Sequence, residues 1–217
     1  MKKKIIIIGN SPKFIKILEQ LYPYSEIIIY HWRKILDINL KKKIIKKPDI
    51  IFICGYNYKS QWYNYSKYYY SNVTAPLKLV DFLIKKNTKI LYINTLNKIK
   101  NNSSSIQKKT LSRYQFAKQE LAYKLYNRFS SLKILEIPVI KEKKNGANIY
   151  GSKITKIVFN LLIYFKLIKS INNNDIKKMI INNDYNKKFL PPIKPKSIFL
   201  EIPRSLLLDR ILRIISD

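Results

Sequence analysis

Residues 3–22 read KKIIIIGNSPKFIKILEQLY, a strand, a turn and a helix written in succession. Four consecutive isoleucines bounded by lysines make a β-branched run with no polar alternation. That is the pattern of a strand buried on both faces of a parallel sheet. Gly9 ends the run. Ser11 stands where a helix N-cap belongs and Pro12 at the first helical position, where its missing N–H costs nothing. Phe14, Ile17, Leu18 and Leu21 then share one helical face.

The same alternation continues outward. SEIIIY (25–30) reads as a second strand, DINLKKKIIKK (37–47) as a short basic helix with Asp37 near its start, and PDIIFICG (48–55) as a third buried strand. VTAPLKLVDFLIKK (73–86) has the Leu77, Val80, Leu83, Ile84 spacing of a helix, and TKILYINT (88–95) is a strand. LSRYQFAKQELAYKLYNRF (111–129) is a long helix and LKILEIPVI (132–140) a strand. Strands joined by crossover helices imply an α/β fold with a Rossmann-like, doubly wound parallel sheet. Past Pro138 come a helical segment at 152–170, an Asn-rich patch, the Pro-rich connector LPPIKPK (190–196), and an amphipathic end with Leu207, Ile211 and Ile214 on one stripe. The expected division is 1–140 as a Rossmann-like, dinucleotide-binding type of domain and 141–217 as a reduced, mainly helical C-terminal substrate region.

A chain of 217 residues can bury a proper core. Its formal net charge of +30 points towards polyanions. The excess is Lys, 37 against 6 Arg, and Gly and Ala occur four times each, a bias that AT-rich coding also produces. The expectation is weak contact with polyanions or an anionic membrane surface, fading with salt. Cys54 is the only cysteine, which excludes an internal disulfide and a Cys-rich zinc site, and it reads as a buried structural thiol. His31, the only histidine, has no ligand-spaced companions, so no metal is expected. MKKKIIIIGN has too short an apolar stretch for a signal peptide, and the longest apolar region is broken by Lys156, Asn160, Lys166 and Lys169. A soluble, cytoplasmic protein is expected. The Tyr-rich stretch 56–70, interleaved with Lys59 and Lys67, reads either as a loop leading into a helix or as an aromatic platform for sugars or single-stranded nucleic acid.

Three Tyr-x-x-x-Lys motifs occur, at Tyr30, Tyr63 and Tyr114, and composition alone yields about three. Only YQFAK (114–118) lies on a helix between two sheet strands, KILYINT and LKILEIPVI. In that context the chain resembles the short-chain dehydrogenase/reductase family, over roughly residues 3–140. KPDIIFICGYN, SNVTAPLKLVDFLIKKNTKILYINT, YQFAK and ILEIPVI follow in the order of its extended, nucleotide-sugar-modifying branch. Within that branch the chain is most similar to dTDP-4-dehydrorhamnose reductases and NAD-dependent epimerase/dehydratases.

The resemblance implies NAD or NADP as cofactor and a nucleotide-linked sugar as substrate, in surface-polysaccharide synthesis, with a homodimer as a compatible assembly. It implies Tyr114 as catalytic acid/base, Lys118 as its activator and as a holder of the nicotinamide ribose, and Thr95 as the hydroxyl that binds the reacting oxygen. A free phenol titrates near pH 10, so the ammonium one helical turn away is what makes Tyr114 useful near neutrality. Gly9, Asn10, Ser11, Gly55 and Asn72 fall at cofactor-binding positions. Arg33 is either a partner for a 2′-phosphate or a solvated loop arginine. The glycine-rich turn departs from the family pattern: Gly9 is kept, but Pro12 and Ile15 replace the second and third glycines. The gap from Thr95 to Tyr114 is shorter than usual, and Ala122 stands where a glutamate is common. Two readings follow: a catalytic oxidoreductase or epimerase-like protein, and a non-catalytic degenerate Rossmann protein that binds a partner or serves as a scaffold.

Overall fold

The computed structural model describes residues 2–9, 11–32, 48–95, 113–142, 146–147, 153–165 and 170–182. The expected basic helix at 37–47, Asn10, Arg33, the connector 190–196 and the amphipathic end all lie outside these residues.

Strands β1 (Lys4–Ile8), β2 (Glu26–Tyr30), β3 (Ile50–Ile53), β4 (Lys89–Thr95) and β5 (Leu132–Ile137) form one sheet in the order β2-β1-β3-β4-β5. Every pairing is parallel. Helices α1 (Pro12–Leu21), α2 (Tyr65–Tyr69), α3 (Ala75–Leu83) and α4 (Arg113–Arg128) follow in chain order. The expected α/β, Rossmann-like parallel sheet is thus the fold.

The isoleucine runs work by alternation. Ile6, Ile8, Ile51, Ile53, Ile90, Tyr92 and Ile134 face α3 and α4, meeting Leu79, Leu83, Leu121 and Leu125. Ile5, Ile7, Phe52, Leu91, Ile93, Leu135 and Ile137 face the other way, against Phe14, Ile17 and Leu18 of α1. All four isoleucines of β1 are fully or almost fully buried. At about 1.5–3 kcal/mol for each side chain taken from water, this one strand contributes on the order of 6–12 kcal/mol before chain entropy is charged against it. The amino end of the sheet is pinned by Asp49, whose carboxylate accepts from the Lys4 backbone N–H and the Lys85 ammonium at 2.9 Å each. These contacts, the backbone N–H foremost, hold its carboxyl below the usual carboxylate range.

After β5 the chain forms β6 (Val139–Glu142), β7 (Gly146–Ala147), α5 (Lys153–Tyr164), β8 (Ser170–Ile171) and α6 (Asn173–Ile181). The three strands make a small second sheet, order β7-β6-β8, beside the two helices. The expected helix at 152–170 stops at Tyr164, and the Asn-rich patch starts a helix instead of filling a loop. Asn172 and Asp175 form a reciprocal capping box at its start. Ile176 and Ile180 of α6 then join the core cluster that holds Ile5 and Ile7, with α6 lying by β5, β6 and α1.

Candidate functional site

In a sheet of this order the connections leave in opposite directions from β1 and β3, opening a crevice outside their carboxyl ends. Gly9 ends β1 on one side of that point, and Cys54 and Gly55 follow β3 on the other. Gly9 has φ +152°, and a Cβ there would lie 2.8 Å from Cys54 Sγ and 2.9 Å from the Cys54 carbonyl carbon. The glycine is required by both its backbone and its neighbour.

Tyr114 and Lys118 stand on successive turns of α4, beside the carboxyl half of β4. Lys118 is 6% exposed; its Nζ donates to the Ile93 carbonyl at 2.7 Å and lies 4.5 Å from the Tyr92 ring centroid. The Tyr92 hydroxyl returns a bond to the Lys118 carbonyl at 2.8 Å. Burial lowers the Lys118 ammonium from its ordinary value of 10.5 to about 8, opposed by its attraction to Cys54. Cys54 itself is pushed up to about 12 by burial, with Lys118 pulling the other way. The two groups therefore sense each other, and at neutral pH the pair is ammonium and thiol. Burial also raises the Tyr92 phenol well above its ordinary value, with Tyr114 adding to the rise.

Tyr114 is half-buried among other tyrosines. The Tyr56 ring meets it edge-on at 4.9 Å, and Tyr58 stacks nearly parallel at 6.1 Å. The Tyr-rich stretch leads into a helix, the first of its two readings: a 3₁₀ turn over Tyr58–Trp62, then α2, then a π-helical turn over Tyr70–Thr74 run directly into α3. Tyr68 is fully buried, and its hydroxyl donates to the Arg113 carbonyl.

Two residues organise this wall. Arg113, 1% exposed, donates through Nη1 to the carbonyl of Tyr63 at 2.7 Å and reaches those of Gln61 and Ser60 at 3.3 and 3.4 Å. It ties the first turn of α4 to the 3₁₀ turn, and so sets Tyr58 against Tyr114. Asn72, expected from the sequence to bind cofactor, is turned inward. Its Oδ1 accepts from the Asn57 N–H at 2.8 Å and its Nδ2 donates to Ser60 Oγ and the Tyr68 carbonyl. Arg113 escaped sequence reading because one arginine among 43 cationic residues carries no mark. Its place immediately before YQFAK was the available signal.

Thr95 is the last residue of β4 and pairs in register with Ile137; its side chain lies outside what the structure describes. Ser11 takes the N-cap backbone shape, φ −105° and ψ 97°, without a side-chain capping bond. Pro12 opens α1, and Ile15 packs against the β1 core.

A dinucleotide must find room at two places along this crevice. Near Tyr114 and Lys118 the groups fit a ribose and a reacting oxygen: a buried ammonium and a phenol on one helical face. The adenosine end does not fit as folded. Trp32, just after β2, is 4% exposed and its indole lies on Gly55, where a Cβ would be 2.1 Å from Cε3. Pro12 offers no N–H to a pyrophosphate, and the Ile15 branch occupies the helix–sheet contact that the third glycine would leave bare. No His, Cys, Asp and Glu cluster suited to a metal occurs among the described residues, and none of their helices is long and apolar enough to cross a membrane.

No family model matches the chain, and no curated protein does. Solved structures do. The chain is similar to the ADP-L-glycero-D-manno-heptose-6-epimerase of Helicobacter pylori, at 13% identity and TM-score 0.55, over 83% of this chain and 72% of that one. It is similar to an epimerase of the methanogen Methanothermobacter thermautotrophicus, at 15% identity and TM-score 0.54, over 87% and 70% of the two chains. A Bordetella bronchiseptica enzyme solved with NAD+ aligns at 14% identity and TM-score 0.51, over 84% and 72%. At such identities the likeness is one of fold.

Proposed function

We propose that this chain is an oxidoreductase or epimerase-like protein of the short-chain dehydrogenase/reductase type, acting on a nucleotide-linked sugar in surface-polysaccharide synthesis. The observation that carries the reading is the buried Lys118 ammonium one helical turn from Tyr114 at the carboxyl edge of β4. Nothing in composition asks a helix to bury a lysine that has no carboxylate partner among the described residues. A charge held out of water is worth its cost where it stabilises an anion formed nearby.

In this reading Tyr114 Oη gives a proton to a sugar carbonyl oxygen, or takes one from the corresponding hydroxyl. Lys118 stabilises the phenolate while the proton is away. Thr95, at the end of β4, hydrogen-bonds the same oxygen. Arg113 positions the wall of tyrosines beside it and touches no reacting atom. A nicotinamide bound at the Lys118 end would supply the hydride chemistry; the fit of the whole dinucleotide fails at Trp32.

The test is loss of NADPH or NADH absorbance with a panel of nucleotide-linked 4-keto sugars, comparing the unaltered protein with Tyr114→Phe. Removing a proton-transfer group costs on the order of 10²–10⁴-fold in rate. An unchanged rate in Tyr114→Phe would refute the role. A second reading, a non-catalytic Rossmann protein that binds a partner, is favoured by Pro12, Ile15 and Trp32 together. It predicts no turnover with any such sugar, and stable capture of a protein partner by the fully folded chain.

A further inference from the structure

The crevice between β1 and β3 is the place where a doubly wound sheet receives a nucleotide, and here a side chain of the same molecule lies in it. Trp32 follows β2 by two residues, and its ring reaches across the end of β1 to rest on Gly55, beyond β3. Its ring also joins the cluster of Ile8, Ile53 and Ala75. The fit is close enough that a single added carbon on Gly55 would lie 2.1, 2.7 and 2.9 Å from three indole carbons. A flat aromatic bicycle pressed on a bare backbone matches an adenine base in shape.

The seat is imperfect in one respect. Indole Nε1 is a donor only, it is buried, and it has no acceptor among the described residues. A core tryptophan ordinarily finds a partner for that N–H. An indole that keeps its packing but leaves its donor unmet is held less firmly than its burial alone suggests, because leaving returns the N–H to water.

We propose that Trp32 is the specificity-determining residue of this crevice: it stands in for the adenine and excludes adenosine-bearing ligands from the β1–β3 half of the site. The inference rests on the reading of the crevice as a nucleotide site. Its consequence is an asymmetric site. Ligands that need only the Lys118 and Tyr114 end enter the folded protein directly, whereas a complete dinucleotide must first turn the indole out. Affinity for the dinucleotide is its intrinsic value multiplied by the fraction of molecules in which the indole is out.

The test uses two probes, ADP-ribose for the adenosine half and reduced nicotinamide mononucleotide for the other. Each is titrated calorimetrically against the full chain in about 0.3 M NaCl, which screens diffuse attraction of phosphates to a basic surface. The proteins are the unaltered chain, Trp32→Ala, and Trp32→Leu, which keeps apolar volume in the cluster should the alanine variant fold poorly. The expected result is ADP-ribose binding at least tenfold tighter in a folded Trp32 variant than in the unaltered chain, with mononucleotide affinity changed less than twofold. In a Trp62→Phe background, where Trp32 is the only indole, saturating ADP-ribose should also shift its emission to the red as the ring enters water. Equal ADP-ribose affinity with and without Trp32 overturns the proposal, as does the absence of ADP-ribose binding from every variant. Mononucleotide binding that depends on Lys118 would leave the proposed function standing in both of those cases; its absence from every variant would remove that reading as well.

Discussion

Replacing Lys118 by methionine should make the protein more stable near neutral pH, and the gain should vanish as the solution becomes alkaline. Lys118 is buried, and the protein lowers its ammonium from 10.5 to about 8. At about 1.4 kcal/mol for each tenfold change in proton affinity, that fall means the folded protein disfavours the ammonium by roughly 3 kcal/mol relative to the unfolded chain. The sign follows from proton counts. Below pH 8 both states carry the proton and the whole penalty is present. Between about 8 and 10.5 the unfolded chain holds more proton than the folded one, so stability rises with pH, and above 10.5 the penalty is gone. Methionine keeps the length and apolar stem but removes the charge, at the cost of one hydrogen bond to the Ile93 carbonyl, about 1 kcal/mol. The net gain at pH 7 is therefore about 2 kcal/mol. Urea unfolding of both proteins at half-unit steps from pH 7 to 10.5 measures it, with the difference between them cancelling all other titrations. A difference independent of pH across that window would refute the reasoning, because it would mean that Lys118 is as well solvated when folded as when unfolded. The same variant should lose the proton-transfer activity proposed for Tyr114, which would make the buried charge a stability cost kept for function.

Gly9→Ala forces a Cβ against both the Cys54 thiol and its carbonyl carbon at a positive φ, and should lower stability by about 2–4 kcal/mol in urea unfolding, with only part recovered by adding Cys54→Ala. Arg113→Met removes the donor that holds the Tyr63 carbonyl, so the half-exposed Trp62 should become more readily quenched by acrylamide and stability should fall by roughly 2–3 kcal/mol. Asn172→Ala removes the accepting half of the α6 capping box and should cost about 1 kcal/mol, read as a lower urea midpoint with an unchanged slope.

The sheet was legible because its residues obey one rule at a time. IIII, EIIIY, IIFI and KILYINT are each too apolar or too β-branched to be anything but strand, and every one is a strand. The placement of the candidate site was legible in part: YQFAK lies on a helix between two sheet strands as expected, which sets it apart from the other two copies of the motif. What composition hid was the interior use of polar and aromatic residues. In a chain with 17 tyrosines, nothing local distinguishes the fully buried Tyr68 from Tyr24, which lies in solvent. Asn72 has the identity of a cofactor-facing residue, yet the direction of its side chain is set by Asn57 and Ser60, which approach only after the 3₁₀ turn has formed. Trp32 belongs to the same class, since its partner Gly55 is fixed by sheet order and not by proximity in sequence. Asn172 with Asp175 was a missed signal that lay in plain view, an accepting side chain followed three residues later by an acid.

The placement of α6 has a consequence for how the molecule is made. Its Ile176 and Ile180 belong to the same apolar cluster as Ile5 and lie by β5, so this face of the sheet is closed only when one of the later helices arrives. A nascent chain halted after β5 has all five parallel strands yet leaves Leu135 and Ile137 without their cover, an apolar strip of the kind chaperones bind. For anyone expressing fragments, a cut near residue 140 would pass through the hydrophobic core, and the shortest self-sufficient piece must extend beyond residue 181.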